Sequence, residues 1–229
     1  MSDHFKRFLA AFPPNEGTVG GVNALRLTGE IQGRFETAVP AIVTSLWAQV
    51  GCGYFANGEL YVFGDESASS KRDSLVDWNS MDYWAKIFPL PKEGGPLFFA
   101  ETCFGMQIGF RWEQGVPIGY LLDVDTMEAF RVATDCEELF GEVLGERYAF
   151  TDPKLLEGVR QKIGDLPVGM HYAPIVSPLA GGPLTPDNYH LETPNVHIRT
   201  SIATWEAIKV AREGYLGSGG IWGQSLSSE

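Results

Sequence analysis

A chain of 229 residues with 44% hydrophobic side chains has ample material for a buried core, and one large domain over residues 1–229 is the simplest arrangement. Its 29 acidic against 17 basic side chains give a net charge of −12, which argues against nucleic acid as a main partner, because phosphate binding needs a concentrated cationic surface. Cys52, Cys103 and Cys136 are widely spaced and form no C-x-x-C pair, so neither a disulfide framework nor a zinc knuckle is indicated and a reducing compartment is expected.

Residues Asp3 to Phe12 have the pattern of a short helix stopped by Pro13-Pro14, and the glycine-rich stretch from Gly17 to Gly21 reads as a loop. The basic pair Lys6 and Arg7 follows Asp3, and the apolar run from Phe8 to Phe12 is too short for a signal core or a membrane span, so a cytoplasmic protein is expected. Ile42, Leu46 and Val50, with Val43 and Trp47 beside them, form an apolar stripe of helical period. Gly51 and Gly53 end that helix, and Asn57-Gly58 makes a turn into a strand from Leu60 to Phe63. The polar run from Gly64 to Asp73 reads as an exposed loop, and the aromatics of Met81 to Phe88 return at helical spacing.

The strongest alternation lies in Met106 to Trp112, with Met106, Ile108, Phe110 and Trp112 on one side. Glu113-Gln114-Gly115 is a hairpin turn, and Ile118 to Val124 and Glu128 to Val132 continue an antiparallel meander. Asp135 and Glu138 have capping-box spacing ahead of Leu139, Phe140, Val143 and Leu144, and Asp152-Pro153 starts a second helix with Leu155, Leu156, Val159 and Ile163 on one face. Beyond about residue 165 the chain reads as a proline- and glycine-rich extension, with a strand over Asn195 to Thr200 and a helix over Trp205 to Val210.

Chemistry-bearing residues are present without the spacing their chemistry demands. His171, His190 and His197 share a stretch with Asp187 and Glu192, yet no H-E-x-x-H or similar fixed pair occurs, and no metal is assigned. Cys103 between Thr102 and Phe104 reads as a small buried hydrophobe rather than a nucleophile. Asp123, Asp125 and Glu128 fail the calcium-loop pattern, with Met127 at a ligand position, and read as solvated turn residues. Gly217, Gly219 and Gly223 lack the strand and helix that a dinucleotide loop needs. G-x-S-x-G and Walker patterns are absent, so no catalytic residue and no cofactor is assigned. Of Trp47, Tyr83, Trp84 and Trp112, most are expected in the core and one at a recognition surface.

The Leu46-Trp47 pair, the Gly51-Cys52-Gly53-Tyr54-Phe55-Ala56-Asn57-Gly58 turn and the later Phe104-Gly105 resemble the SUKH superfamily, which includes fungal cell-wall-synthesis regulators and bacterial immunity proteins. Related immunity proteins of type VI secretion systems carry a similar Leu-Trp, Gly-x-Gly, Phe-Ala-Asn-Gly run. The match spans roughly Pro40 to Leu144 and rests on structural glycines and aromatics. It implies an α+β fold with helices around a curved antiparallel sheet, no enzymatic activity, and a cognate protein toxin, such as a basic nuclease, as partner. Asp65, Glu66, Asp77, Asp82 and Glu101, with Tyr83 or Trp112 as an aromatic anchor, are the expected contact residues. A regulator or scaffold of an endogenous protein is the second expectation, and a metal or thiol hydrolase using the histidine-bearing stretch the third.

Overall fold

The computed structural model describes residues 1–16, 18, 23–65, 72–145 and 151–217, with side chains to residue 211. Its centre is a six-stranded antiparallel meander in which every strand pairs with its sequence neighbour, so the fold class is α+β as expected. The strands are β1 Gly53–Phe55, β2 Leu60–Val62, β3 Leu97–Thr102, β4 Gln107–Glu113, β5 Val116–Asp123 and β6 Glu128–Ala133. The β4–β5 loop is the two-residue Gln114-Gly115 turn, with φ of 50° and 83°, whose left-handed backbone matches the twist of the flanking strands.

β3 is buried along its whole length, and its alternating side chains show what covers each face. Phe98 meets Trp84 and Phe88, while Phe99 stacks on Phe140 at 5.6 Å. On the Phe140 side lies α1, Asp3–Ala11, whose Phe5 and Phe8 pack edge-on against Phe140. α2, Ala24–Phe35, and α3, Ala41–Gln49, pack together through Leu27, Ile31, Val43, Leu46 and Trp47. The α3 stripe is the one the sequence predicts, and the Trp47 indole N–H donates to the Phe63 carbonyl at 3.1 Å, tying this helix to the end of β2. α4, Leu75–Asn79, is capped by Ser74 and carries Trp78 onto Phe63.

Asp135 starts α5, Cys136–Glu138, by accepting from the Glu138 amide, and the chain runs on as a wide turn over Leu139–Val143. Asp152 caps α6, Pro153–Ile163, whose Leu156 and Val159 join Cys103, Tyr172 and Tyr189 in a second, smaller apolar cluster. A two-stranded ribbon, β7 His171–Pro174 and β8 Tyr189–Glu192, leads into α7, Pro194–Gly217.

Several expectations need correction. The strand expected over Asn195 to Thr200 lies inside α7, because Pro194 in the first turn starts a helix and the inward pair Ile198 and Ile202 follows the four-residue spacing. The aromatics of Met81 to Phe88 form only a short 3-10 turn over Trp84–Lys86, closed off before Pro89. The strand expected after the Asn57-Gly58 turn is present as β2, and the addition is its partner β1, with Ala56, Asn57 and Gly58 between them all at positive φ.

Candidate functional site

A chain of buried polar groups occupies the seam where β7 and α7 meet the sheet. Glu101 of β3 is 1% exposed and lies between Tyr61 of β2 and Gln107 of β4 in the sheet register. Its carboxylate pairs with Arg72, whose guanidinium lies 4.4 Å from the Tyr61 ring centre and 5.8 Å from that of Trp78. Gln107 donates to the second Glu101 oxygen at 2.9 Å and to the Gly105 carbonyl at 2.8 Å, and accepts from the Trp78 indole N–H at 2.8 Å.

From Glu101 the chain crosses into the C-terminal segment. His171 Nε2 lies 2.9 Å from Glu101 Oε1, and His171 Nδ1 lies 3.3 Å from His197 Nδ1. His197 Nε2 in turn lies 2.8 Å from Asp125 Oδ1 in the β5–β6 turn. Four segments distant in sequence thus meet through one hydrogen-bonded line. Burial, then the positive charge of Arg72, then His197, hold His171 well below its ordinary protonation range.

Beside this line runs a cleft of 420 Å³ between the β7–β8 ribbon and α7, lined in part by His190, Glu192, His197 and Ser201. Ile175, Val176 and Val196 stand exposed around it. Ser201 follows His197 by one helical turn, but both His197 ring nitrogens are engaged, by His171 and Asp125, so neither is available as a base for its hydroxyl. Burial pushes the thiols of Cys52, Cys103 and Cys136 each up to about 12, opposite to the shift that activates a cysteine nucleophile.

The sequence-drawn histidine trio is therefore split. His171 and His197 come together, while His190 is exposed and stands outside the line. No group of three or more His, Cys, Asp or Glu side chains among the described residues is arranged to hold a metal. Asp125 corrects the reading of its turn as solvated: it is 7% exposed and faces His197, while Asp123 accepts from the Asp125 amide and the Thr126 hydroxyl, both at 2.9 Å.

The expected contact residues divide as well. Asp65 is buried against Arg26, Glu101 is the centre of the polar chain, and Tyr83 is buried with its hydroxyl donating to Asn195 at 3.0 Å, so these three do not present a contact surface. Glu66 lies outside the described residues. Trp112 is half-buried, its indole N–H on the Ala38 carbonyl at 2.9 Å. Asp77 and Asp82 are exposed. The residues that sequence reasoning missed are Arg72, Gln107 and the inward role of Asp125. A usable signal for the first was Glu101 itself, a carboxylate inside the apolar run LFFAETCF, which demands a buried cation or donor.

No known protein family matches the chain, and no curated protein does. Among solved structures, the crystal structure of Atu4351 from Agrobacterium tumefaciens resembles it with a TM-score of 0.60, over 86% of this chain and 88% of that one, at 14% identity. The likeness is one of fold. No helix among the described residues is long and apolar enough to cross a membrane.

Proposed function

We propose that this chain is a non-enzymatic, cytoplasmic binding protein of the immunity type, which neutralises a basic protein toxin by covering it with an acidic face. The observation that carries this is where the charge resides. The buried Arg72 and the part-buried Arg160 are each paired with a buried carboxylate, Glu101 and Glu59, while acids such as Asp77 and Asp82 stand exposed on a chain of net charge −12. An acidic surface accelerates encounter with a cationic partner and competes for a nucleic-acid groove. The likeness of Leu46 to Gly58 to type VI immunity proteins points the same way. Asp77 and Asp82 are the exposed acids of the contact surface.

Calorimetric titration against the product of the neighbouring gene, in a catalytically inactive form, tests the proposal. Tight one-to-one binding that weakens with salt is expected. Absence of heat at several temperatures would turn attention to an endogenous partner, sought by pull-down from native lysate.

A further inference from the structure

We propose that the Glu101–His171–His197–Asp125 line is an acid-sensitive latch, which holds the C-terminal ribbon and helix on the sheet near neutral pH and releases them as the medium acidifies. The reasoning is a count of protons. The line has three contacts, Glu101 to His171, His171 to His197 and His197 to Asp125, and each needs one proton between its two heavy atoms. Arg72 and Gln107 hold Glu101 as an acceptor, so His171 Nε2 carries a proton and donates. One proton must lie between the two Nδ1 atoms and one between His197 Nε2 and Asp125, giving three protons for the line.

In that state Arg72 and the shared imidazole proton balance the two carboxylates, and the line is neutral. A fourth proton has no place in it. On His171 Nδ1 it would set two N–H groups against each other across 3.3 Å and add a positive charge beside Arg72, in a site 1% exposed. The charged and titratable groups facing the pair are Arg72 ahead of α4, Glu101 of β3, and Asp125 of the β5–β6 turn, with Asp123 and Tyr189 of β8 beyond it. Gln107 of β4, Trp78 of α4 and Tyr61 of β2 complete the shell without charge near neutrality.

The sign of the pH dependence follows. In an opened segment His171 meets water and takes up its proton near the ordinary histidine value of about 6.5. In the latched state it takes it up only at lower pH. The opened state therefore binds more protons below about 6.5, and latching weakens by about tenfold per pH unit until the latched form itself titrates. Above that value the opened segment, with two neutral imidazoles, carries two protons against three in the line, so latching is strongest near about pH 6.5. The cleft has walls on both β7 and α7, so release also dismantles it.

Amide hydrogen exchange on the whole protein, corrected for intrinsic rates, tests the latch. From pH 6.5 to about 5.0 the protection of Tyr172, Ala173, Ile198 and Ile202 should fall nearly tenfold relative to Phe110 and Leu121 in β4 and β5. A His171→Gln variant keeps a donor towards Glu101 and an acceptor towards His197 but cannot titrate, so its relative protection should be flat over the same range. A wild-type ratio constant within threefold, or a His171→Gln ratio that falls as the wild type does, overturns the proposal. Should His171→Gln not fold, imidazole nitrogen resonances of the wild type decide. Charging of His171 at the ordinary midpoint while β7 and α7 stay protected would overturn the latch; a ring that stays neutral until they exchange supports it.

Discussion

The sheet with its flanking helices and the C-terminal ribbon with α7 are held by different forces. Around β3, large rings such as Phe98, Phe99, Phe140, Trp47 and Trp78 are essentially excluded from water, with Phe99 stacked on Phe140 and Phe98 tilted against Trp84. The second cluster, around Cys103, Leu156, Val159, Tyr172 and Tyr189, is much smaller, and its neighbourhood meets the sheet through Ile198 and Ile202, the Tyr172 amide on the Cys103 carbonyl, the Arg160–Glu59 pair and the line of carboxylates and imidazoles. Apolar burial is indifferent to pH and tolerant of small shifts, whereas the line depends on protonation and geometry. The comparison teaches that one part of this molecule is built to persist and the other to respond to conditions.

The most damaging test falls on the sheet side. Trp47→Ala removes a fully buried indole and its bond to Phe63, and should cost about 4–5 kcal/mol in urea unfolding, with all parts of the chain lost together. Glu101→Gln strikes the other side. It leaves the Arg72 guanidinium buried without its counter-charge, at a cost of about 3 kcal/mol. Here the loss should be local first: limited proteolysis is expected to cut within residues 165–205 while near-ultraviolet circular dichroism of the aromatic core stays close to wild type. Simultaneous loss of both would show that the two regions share one cooperative unit and sink the comparison.

The same division explains what could be read from the sequence. The meander from Gln107 to Ala133 was legible because alternation and the Gln114-Gly115 turn are local signals. The Asp135 and Asp152 caps were legible for the same reason. β3 was not, since its burial on both faces replaces alternation with a continuous apolar run. The polar line was hidden for a deeper reason: Glu101, Asp125, His171 and His197 are brought together by tertiary packing across 96 positions, and nothing in their spacing records it. Even α7 was misjudged at its start, where its inward histidine, serine and isoleucines do not form the plain apolar stripe that marks an amphipathic helix.

A smaller effect tests the joint between the two regions. Gly105, in the β3–β4 turn, has φ of 84°, and a Cβ there would lie 3.0 Å from His197 Cε1 and Nδ1. Gly105→Ala combines a left-handed backbone with pressure on a buried ring held at both nitrogens, and should cost about 1–3 kcal/mol. Exchange at His197, Ile198 and Ile202 should rise more than at Phe110. An equal rise at both would place the strain in the sheet instead of the joint.

The smallest expected effect on stability concerns the acidic surface. Asp77, itself exposed, accepts from the buried Ser74 hydroxyl at 2.7 Å in the first turn of α4, and Asp82 lies 3.3 Å from Arg199 in an exposed pair of the kind that contributes little. The double variant Asp77→Lys with Asp82→Lys should unfold within about 1 kcal/mol of wild type, the loss coming from the start of α4, since it disturbs neither the aromatic core nor the polar line. Its association with a basic partner should nevertheless slow by about tenfold at low salt, and the difference should vanish as ionic strength rises. An unchanged rate at low salt would remove these two carboxylates from the contact surface. A large loss of stability would mean instead that the acidic face helps to hold the fold, and that surface charge and architecture are less separable than the comparison of the two regions requires.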